Sequence, residues 1–154
     1  MELKTKIKAE ENSQELFITR EFDLPLELLF KAYEDAEIVE QWMGTKVIKL
    51  ENHKHGSWRF ETSHDGQVVF SATGVILEFF PNEKITRTFE MENSPFPVQL
   101  EFLTFESTDE YKSKLTIQQI FKSIDYRNQL LKMPFAKGLS MAHDRLQEIF
   151  NPSK

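Results

Sequence analysis

The sequence contains no cysteine, and only 5 glycines occur in its 154 residues. The lack of cysteine excludes disulfides, thiolate nucleophiles and cysteine-ligated metal sites. The glycines stand singly, so there is no glycine-rich loop of the kind that holds phosphates. No apolar run approaches the roughly 20 residues that a membrane-spanning helix needs. The N-terminus has lysines but no apolar segment typical of a signal peptide. We therefore expect a cytoplasmic protein.

Positive charge is scarce as well, with 19 Lys and Arg against 25 Asp and Glu and a net charge of -6. Nucleic-acid binding needs a basic face that displaces counterions, so we expect no nucleic-acid partner. Hydroxyl-bearing and indole aromatics are few, with 3 Tyr and 2 Trp against 14 Phe. Phenylalanine supplies apolar area without a polar handle, which suits either a thick core or an apolar cavity.

The hydrophobic spacing predicts an α+β domain. Residues 14–22 are rich in strand formers. Two short helices follow, the first beginning near Pro25 and the second carrying Trp42 and Met43 before Gly44 ends it. Between residues 46 and 121, turn signals separate about six further strands. Their short connections predict an antiparallel sheet.

An amphipathic helix closes the chain. Its apolar stripe consists of Phe135, Leu139, Ala142, Leu146, Ile149 and Phe150. Because the stripe and the apolar face of the sheet can both be buried only by packing together, we expect one domain over residues 1–154, with residues 1–13 as a candidate flexible N-terminus. Gly138 lies beside the stripe, and small residues there and at Ala142 predict volume that side chains leave unfilled.

Five stretches occur in an order and at spacings found together in one protein superfamily: REFDLPLELLFKAYEDAEIVEQWMG, HGSWRFETSHDGQ, TGVILEFFPNEKITRTFE, KLTIQQIF and GLSMAHDRLQEIF. They resemble the START-like (SRPBCC) helix-grip superfamily and, within it, the activator of heat shock protein 90 ATPase homologue family. The resemblance implies a curved antiparallel sheet of six to seven strands wrapped around the long C-terminal helix. It also implies a cavity between them that binds lipophilic molecules in many relatives. Met43 and Leu139 stand where relatives often carry tryptophan.

Strand alternation predicts which side chains face the interior. Trp58 and Phe60 form one inward pair, and Arg87 falls in line with the apolar Phe89. The remaining inward residues would be Val98, Leu100, Phe102 and Thr104 in one strand and Leu115, Ile117, Gln119 and Phe121 in another. An unpaired guanidinium in a dry core is very costly, so an inward Arg87 needs an acidic partner, water or a ligand anion. The alternative is a bulge that returns Arg87 to solvent.

The candidate ligand-binding residues are therefore Trp42, Trp58, Phe60, Arg87, Phe89, Phe102, Gln119, Phe135, Leu139 and Ala142. Arg87 and Gln119 would orient an amphipathic ligand through an acidic or carbonyl head. Glu51, His53 and His55 could together supply three metal ligands, but no fourth ligand is set by the spacing and the segment is typical of a surface connection. We expect neither a metal nor another cofactor.

Three functional hypotheses follow. The first is a domain that binds a lipophilic or amphipathic small molecule between the sheet and the C-terminal helix. The second, which the resemblance implies, is a protein that docks on a chaperone and stimulates its ATPase. The third is an enzyme acting on a hydrophobic substrate in the same cavity, and it is the weakest, because the only interior ionisable group expected is Arg87, which titrates too high to act as a base. An edge strand of the sheet leaves dimer formation open.

Overall fold

The computed structural model describes residues 3–150. Over this part of the chain the elements are β1 Lys6–Lys8, β2 Glu15–Phe22, α1 Leu26–Glu34, α2 Ala36–Met43, β3 Lys46–Leu50, β4 Ser57–His64, β5 Gln67–Phe80, β6 Lys84–Met91, β7 Gln99–Asp109, β8 Lys112–Ile120, α3 Ile124–Lys132 and α4 Phe135–Phe150. No helix among these elements is long and apolar enough to cross a membrane.

The strands form a single antiparallel sheet in the order β1-β2-β8-β7-β6-β5-β4-β3. This confirms the α+β class and the antiparallel sheet, but the expected number of six to seven strands is wrong, because residues 3–150 contain 8. The additional strand is β1, which pairs with β2 through Lys6 opposite Thr19 and Lys8 opposite Phe17. It lies inside the stretch expected to be a flexible N-terminus. A strand of three residues is too short for alternation to reveal it.

The two helices after β2 are set by their caps. The carboxylate of Asp35 begins α2 by accepting hydrogen bonds from the amides of Glu37 (3.0 Å) and Ile38 (3.2 Å). Gly44 ends the same helix at φ 65°, and its amide donates to the carbonyl of Glu40. These caps fix where α2 starts and stops, and so fix the position of Trp42 in its last turn.

Helix α4 packs its apolar stripe against the sheet. Leu146 is fully buried in the main core, where it joins β-strand residues such as Ile18, Leu103 and Leu115.

Helix α3 was not predicted, because its buried face consists of only Arg127 and Leu130 and gives little periodicity.

Two polar contacts join α4 to the first strands. The buried guanidinium of Arg20 donates to Asp144 across 2.9 Å. The ring of His143, which is fully buried, lies 2.7 Å from the hydroxyl of Thr5 through its Nδ1. The segment that leads into β1 is therefore held against the C-terminal helix by a buried side chain.

Candidate functional site

An apolar cavity of about 370 Å³ lies between the inner face of the sheet and helices α2 and α4. Strands β6, β7 and β8 supply its floor, the last turn of α2 supplies one end, and the first half of α4 supplies the opposite wall. Seven of the ten candidate residues line it: Trp42, Arg87, Phe89, Gln119, Phe135, Leu139 and Ala142. The elements that bring them together are separated by long stretches of sequence, so the cavity is a product of the fold.

Trp58 and Phe60 face the interior as expected but do not line the cavity. Both are buried in a second cluster with Val39 of α2, Ala72 and Ile76. Trp58 still affects the site, because its ring lies 5.0 Å from the guanidinium carbon of Arg87 in a cation–π contact. Strand alternation gives the correct face of the sheet for these two residues, but it does not determine which part of that face lines the cavity.

The prediction that Phe102 faces the interior is wrong. In β7 the buried residues are Gln99, Glu101, Leu103 and Phe105, whereas Phe102 is half-buried on the opposite face beside Thr86 and Gln118. The same error applies to Val98, Leu100 and Thr104. Apolar residues occupy both alternating sets of this strand, so hydrophobicity alone selected the wrong face.

The corrected face of β7 supplies the acidic partner that Arg87 requires. Arg87 in β6 pairs directly with Glu101 in β7, which in turn pairs with Gln119 in β8. Nε of Arg87 donates to one carboxylate oxygen of Glu101 at 3.1 Å, and the amide nitrogen of Gln119 donates to the other at 2.7 Å. We call these three side chains the polar row. Its register explains how a guanidinium is tolerated on an apolar face.

The polar row is buried and incompletely paired. Glu101 and Gln119 are 5% and 7% exposed. Oε1 of Gln119 is buried without a hydrogen-bond partner among the described residues. A buried acceptor left unpaired costs about 1–3 kcal/mol, so this oxygen lowers the stability of the wall as long as no donor reaches it.

Trp42 forms the end of the cavity and is rigidly held. Its indole nitrogen donates to the carbonyl of Ala32 at 2.7 Å, and its ring lies 5.0 Å from the ring of Tyr33. Burial raises the pKa of the Tyr33 phenol well above its ordinary value, with a smaller opposing effect from Arg87. Tyr33 therefore lines the cavity as a neutral phenol. Met43, next to Trp42, is half-buried and reaches the same cavity.

Two of the side chains that line the cavity are partly exposed to solvent. Phe70 of β5 and Met133, between α3 and α4, line it and are 38% and 47% exposed. Gly138, which we expected to leave space in the interior, is exposed instead and has no atom near the place where a side chain would begin. The volume of the cavity comes from the separation of α4 and the sheet, and not from that glycine.

The histidine pair is not brought into a metal site. His53 is exposed and its Nδ1 lies 3.1 Å from the carbonyl of Lys54, while Glu51 accepts hydrogen bonds from Ser57. Within residues 3–150 no group of three or more His, Asp or Glu side chains is arranged to hold a metal ion.

Comparison with known proteins supports the fold and the family. A family model described as "Activator of Hsp90 ATPase homolog 1-like protein" matches residues 23–151. Protein Ms6760 from Mycobacterium smegmatis has a TM-score of 0.87 at 20% identity, over 98% of this chain and 99% of that chain. A protein from Rhodobacter sphaeroides gives 0.84 at 17% identity, over 95% and 97%. CalU16 from Micromonospora echinospora gives 0.65 at 18%, over 96% and 85%. Such low identities show the shared helix-grip fold alone. No curated protein matches significantly.

Proposed function

Because the chain belongs to the activator of Hsp90 ATPase homolog 1-like family of helix-grip proteins, we propose that it binds a small apolar or amphipathic molecule in the cavity between the sheet and α4. The observation that carries the proposal is the cavity itself, with largely apolar walls and one buried polar row. Sites for small molecules typically combine such walls with a few polar groups that fix orientation.

The size of the cavity limits the ligand. An apolar cavity of about 150 Å³ holds a benzene molecule. The volume here, about 370 Å³, is more than twice as large. It has room for a skeleton of two or three rings or a branched chain of similar bulk. Trp42 and Phe89 offer flat aromatic surfaces on which a ring can pack.

A direct test uses the neutral dye N-phenylnaphthylamine, whose fluorescence rises in apolar surroundings. We expect saturable binding of the dye, quenching of tryptophan fluorescence through Trp42, and a rise in melting temperature. A ligand at a hundred times its dissociation constant adds about 2.7 kcal/mol of stability. For a domain of this size that corresponds to about 5–11 °C.

Two neighbouring positions on α4 give a matched pair of variants. Ala142 lines the cavity, whereas Met141 is 51% exposed on the outer side of the helix. Ala142→Trp places an indole in the cavity and should abolish dye binding. Met141→Trp adds the same side chain at the surface and should leave binding unchanged. Equal dye binding by both variants would show that the dye sits elsewhere and would refute the proposed site.

The family description favours a second function, docking on a chaperone of the Hsp90 class and stimulating its ATPase. It is tested by ATPase measurements with the cognate chaperone in the presence of the wild-type chain and of Ala142→Trp. Stimulation by both would show a chaperone role independent of the cavity. An enzymatic role has less support: Glu101 is an interior carboxylate, but both of its oxygens already accept hydrogen bonds, from Arg87 and Gln119.

A further inference from the structure

The polar row provides one wall of the cavity with a balanced pair of charges. Arg87 and Glu101 form a salt bridge whose side chains are 13% and 6% exposed. An arginine alone on this wall would attract an anionic head. With Glu101 held against it, an added carboxylate would bring a second negative charge into a site that already contains one, away from water. Burying an uncompensated charge is costly, so the acidic head expected for an isolated Arg87 is disfavoured.

Within the polar row, the hydrogen-bonding groups left over are one acceptor, on Gln119, and the donors of Arg87. The amide of Gln119 cannot turn over, because its nitrogen donates to Glu101 at 2.7 Å and reversal would bring two oxygens together. Its Oε1 is therefore fixed as a buried acceptor without a partner. The terminal nitrogens of Arg87 make no hydrogen bond with any residue between 3 and 150, since only Nε reaches Glu101. They remain available as donors.

A hydroxyl group satisfies both demands at once. Its hydrogen can be donated to Gln119, and its oxygen can accept from Arg87, without adding charge. An ether oxygen can accept but cannot donate, and a carboxylate accepts and adds a charge. We propose that the cavity selects neutral hydroxylated apolar molecules, either phenols or alcohols, over the corresponding ethers and carboxylates. This inference rests on the proposed function, because it concerns the head of a ligand whose apolar body fills the same cavity.

The test is a calorimetric titration of the wild-type chain with four probes that share one skeleton: naphthalene, naphthol, naphthol methyl ether and naphthoate. We expect naphthol to bind about tenfold more tightly than its methyl ether, which corresponds to about 1.4 kcal/mol. Naphthoate should be the weakest of the four. Binding of the methyl ether or of naphthoate as tight as that of naphthol would overturn the inference.

Two variants locate the preference in the polar row. Gln119→Leu removes the acceptor and should bring the affinities for naphthol and its methyl ether within about twofold of each other. Gln118→Leu is the matched control, because Gln118 points to the opposite face of β8 and bonds Glu15. This control should retain the tenfold preference. Preference lost equally in both variants, or kept in both, contradicts the assignment to Gln119.

A third variant tests the charge balance. Glu101→Gln leaves Arg87 without a negative partner, so naphthoate should change from the weakest of the four probes to the tightest. An unchanged order in the folded variant would refute the role of the pair, and if this variant fails to fold, the wild-type series and Gln119→Leu still decide the inference. The proposed function fails separately: if none of the four probes binds, the cavity is not a site for such molecules, whereas binding without a preference overturns only the hydroxyl selectivity.

Discussion

Replacing His143 by asparagine should change how the stability of the domain depends on pH. His143 is completely buried, near Arg20 and the rings of Phe22 and Trp42. Burial, with a further contribution from the positive charge of Arg20, lowers the pKa of His143 from 6.5 to about 4. Asparagine places a polar atom near the position of Nδ1, beside Thr5, but does not titrate in this range. The variant therefore removes the titration and keeps a polar group at the contact.

The sign and size follow from proton linkage. Well above pH 6.5 the imidazole is neutral in both folded and unfolded chains, so its contribution to stability does not change with pH there. As the pH falls from 6.5 towards 4, the unfolded chain takes up a proton that the folded one excludes, and stability is lost across that window. A difference of about 2.5 pKa units is worth roughly 3 kcal/mol, a large share of the 5–15 kcal/mol typical of a domain.

Urea unfolding of the wild-type chain and of His143→Asn, followed by tryptophan fluorescence at several values of pH between 4.5 and 7.5, measures the effect. Carboxylates also titrate in this range, but they do so in both proteins, so the difference between the two free energies of unfolding isolates His143. We expect the advantage of the wild type to shrink by about 2–3 kcal/mol as the pH falls through this range. A difference that stays constant within about 0.5 kcal/mol would show that the buried imidazole titrates normally and would refute the reasoning.

Three further changes have clear expected outcomes. Gly74→Ala should lower the free energy of unfolding by more than about 3 kcal/mol, because the added Cβ would overlap a backbone carbonyl and an indole ring. Gly138→Ala, on the open surface of α4, should instead raise it by up to about 1 kcal/mol. Urea denaturation compares the two variants, and a Gly74→Ala variant as stable as the wild type would contradict the packing around Gly74. Asp35→Ala removes the cap of α2 and should cost about 1 kcal/mol in the same assay, with no loss meaning that its two hydrogen bonds contribute nothing. Arg87→Met leaves Glu101 buried without its cation and should cost about 3–5 kcal/mol of stability. The double variant Arg87→Met with Glu101→Leu should recover much of that loss. Calorimetry measures both variants, and additive losses would show that the two residues are not energetically coupled.

Helices α1, α2 and α4 and most strands could be predicted because their patterns are strong and local. The apolar stripe of α4, and the cap signals around α2, each depend on residues within a few turns of one another. Strand β1 and helix α3 were not predicted, because their local patterns are weak. Lys6–Lys8 is too short for alternation, and α3 buries only Arg127 and Leu130, so both elements are stabilised by contacts with distant parts of the chain.

The site was harder to predict because it depends on register. The energetic cost of an inward Arg87 correctly predicted that it needs an acidic partner, a ligand anion or water. The hydrophobic pattern of β7, however, predicted that Phe102 and not Glu101 faces the interior. The need for a partner was itself a usable signal: only the alternative face of β7 supplies a carboxylate opposite Arg87, and it also buries Leu103 and Phe105. A single polar requirement would have chosen the face better than the count of apolar residues did.

The cross-strand pairing of the polar row has a consequence for how related chains can diverge. Arg87, Glu101 and Gln119 occupy directly opposed positions on three adjacent strands, so changing one leaves a buried charge or dipole on its neighbour. A chain with only one of the three residues replaced is therefore destabilised, whereas a chain with all three replaced together is not. Evolution should therefore exchange the three positions as a set. Comparing the residues at these three positions across related sequences would divide the family into groups with different ligand chemistry, even where overall sequence identity is too low to separate the groups.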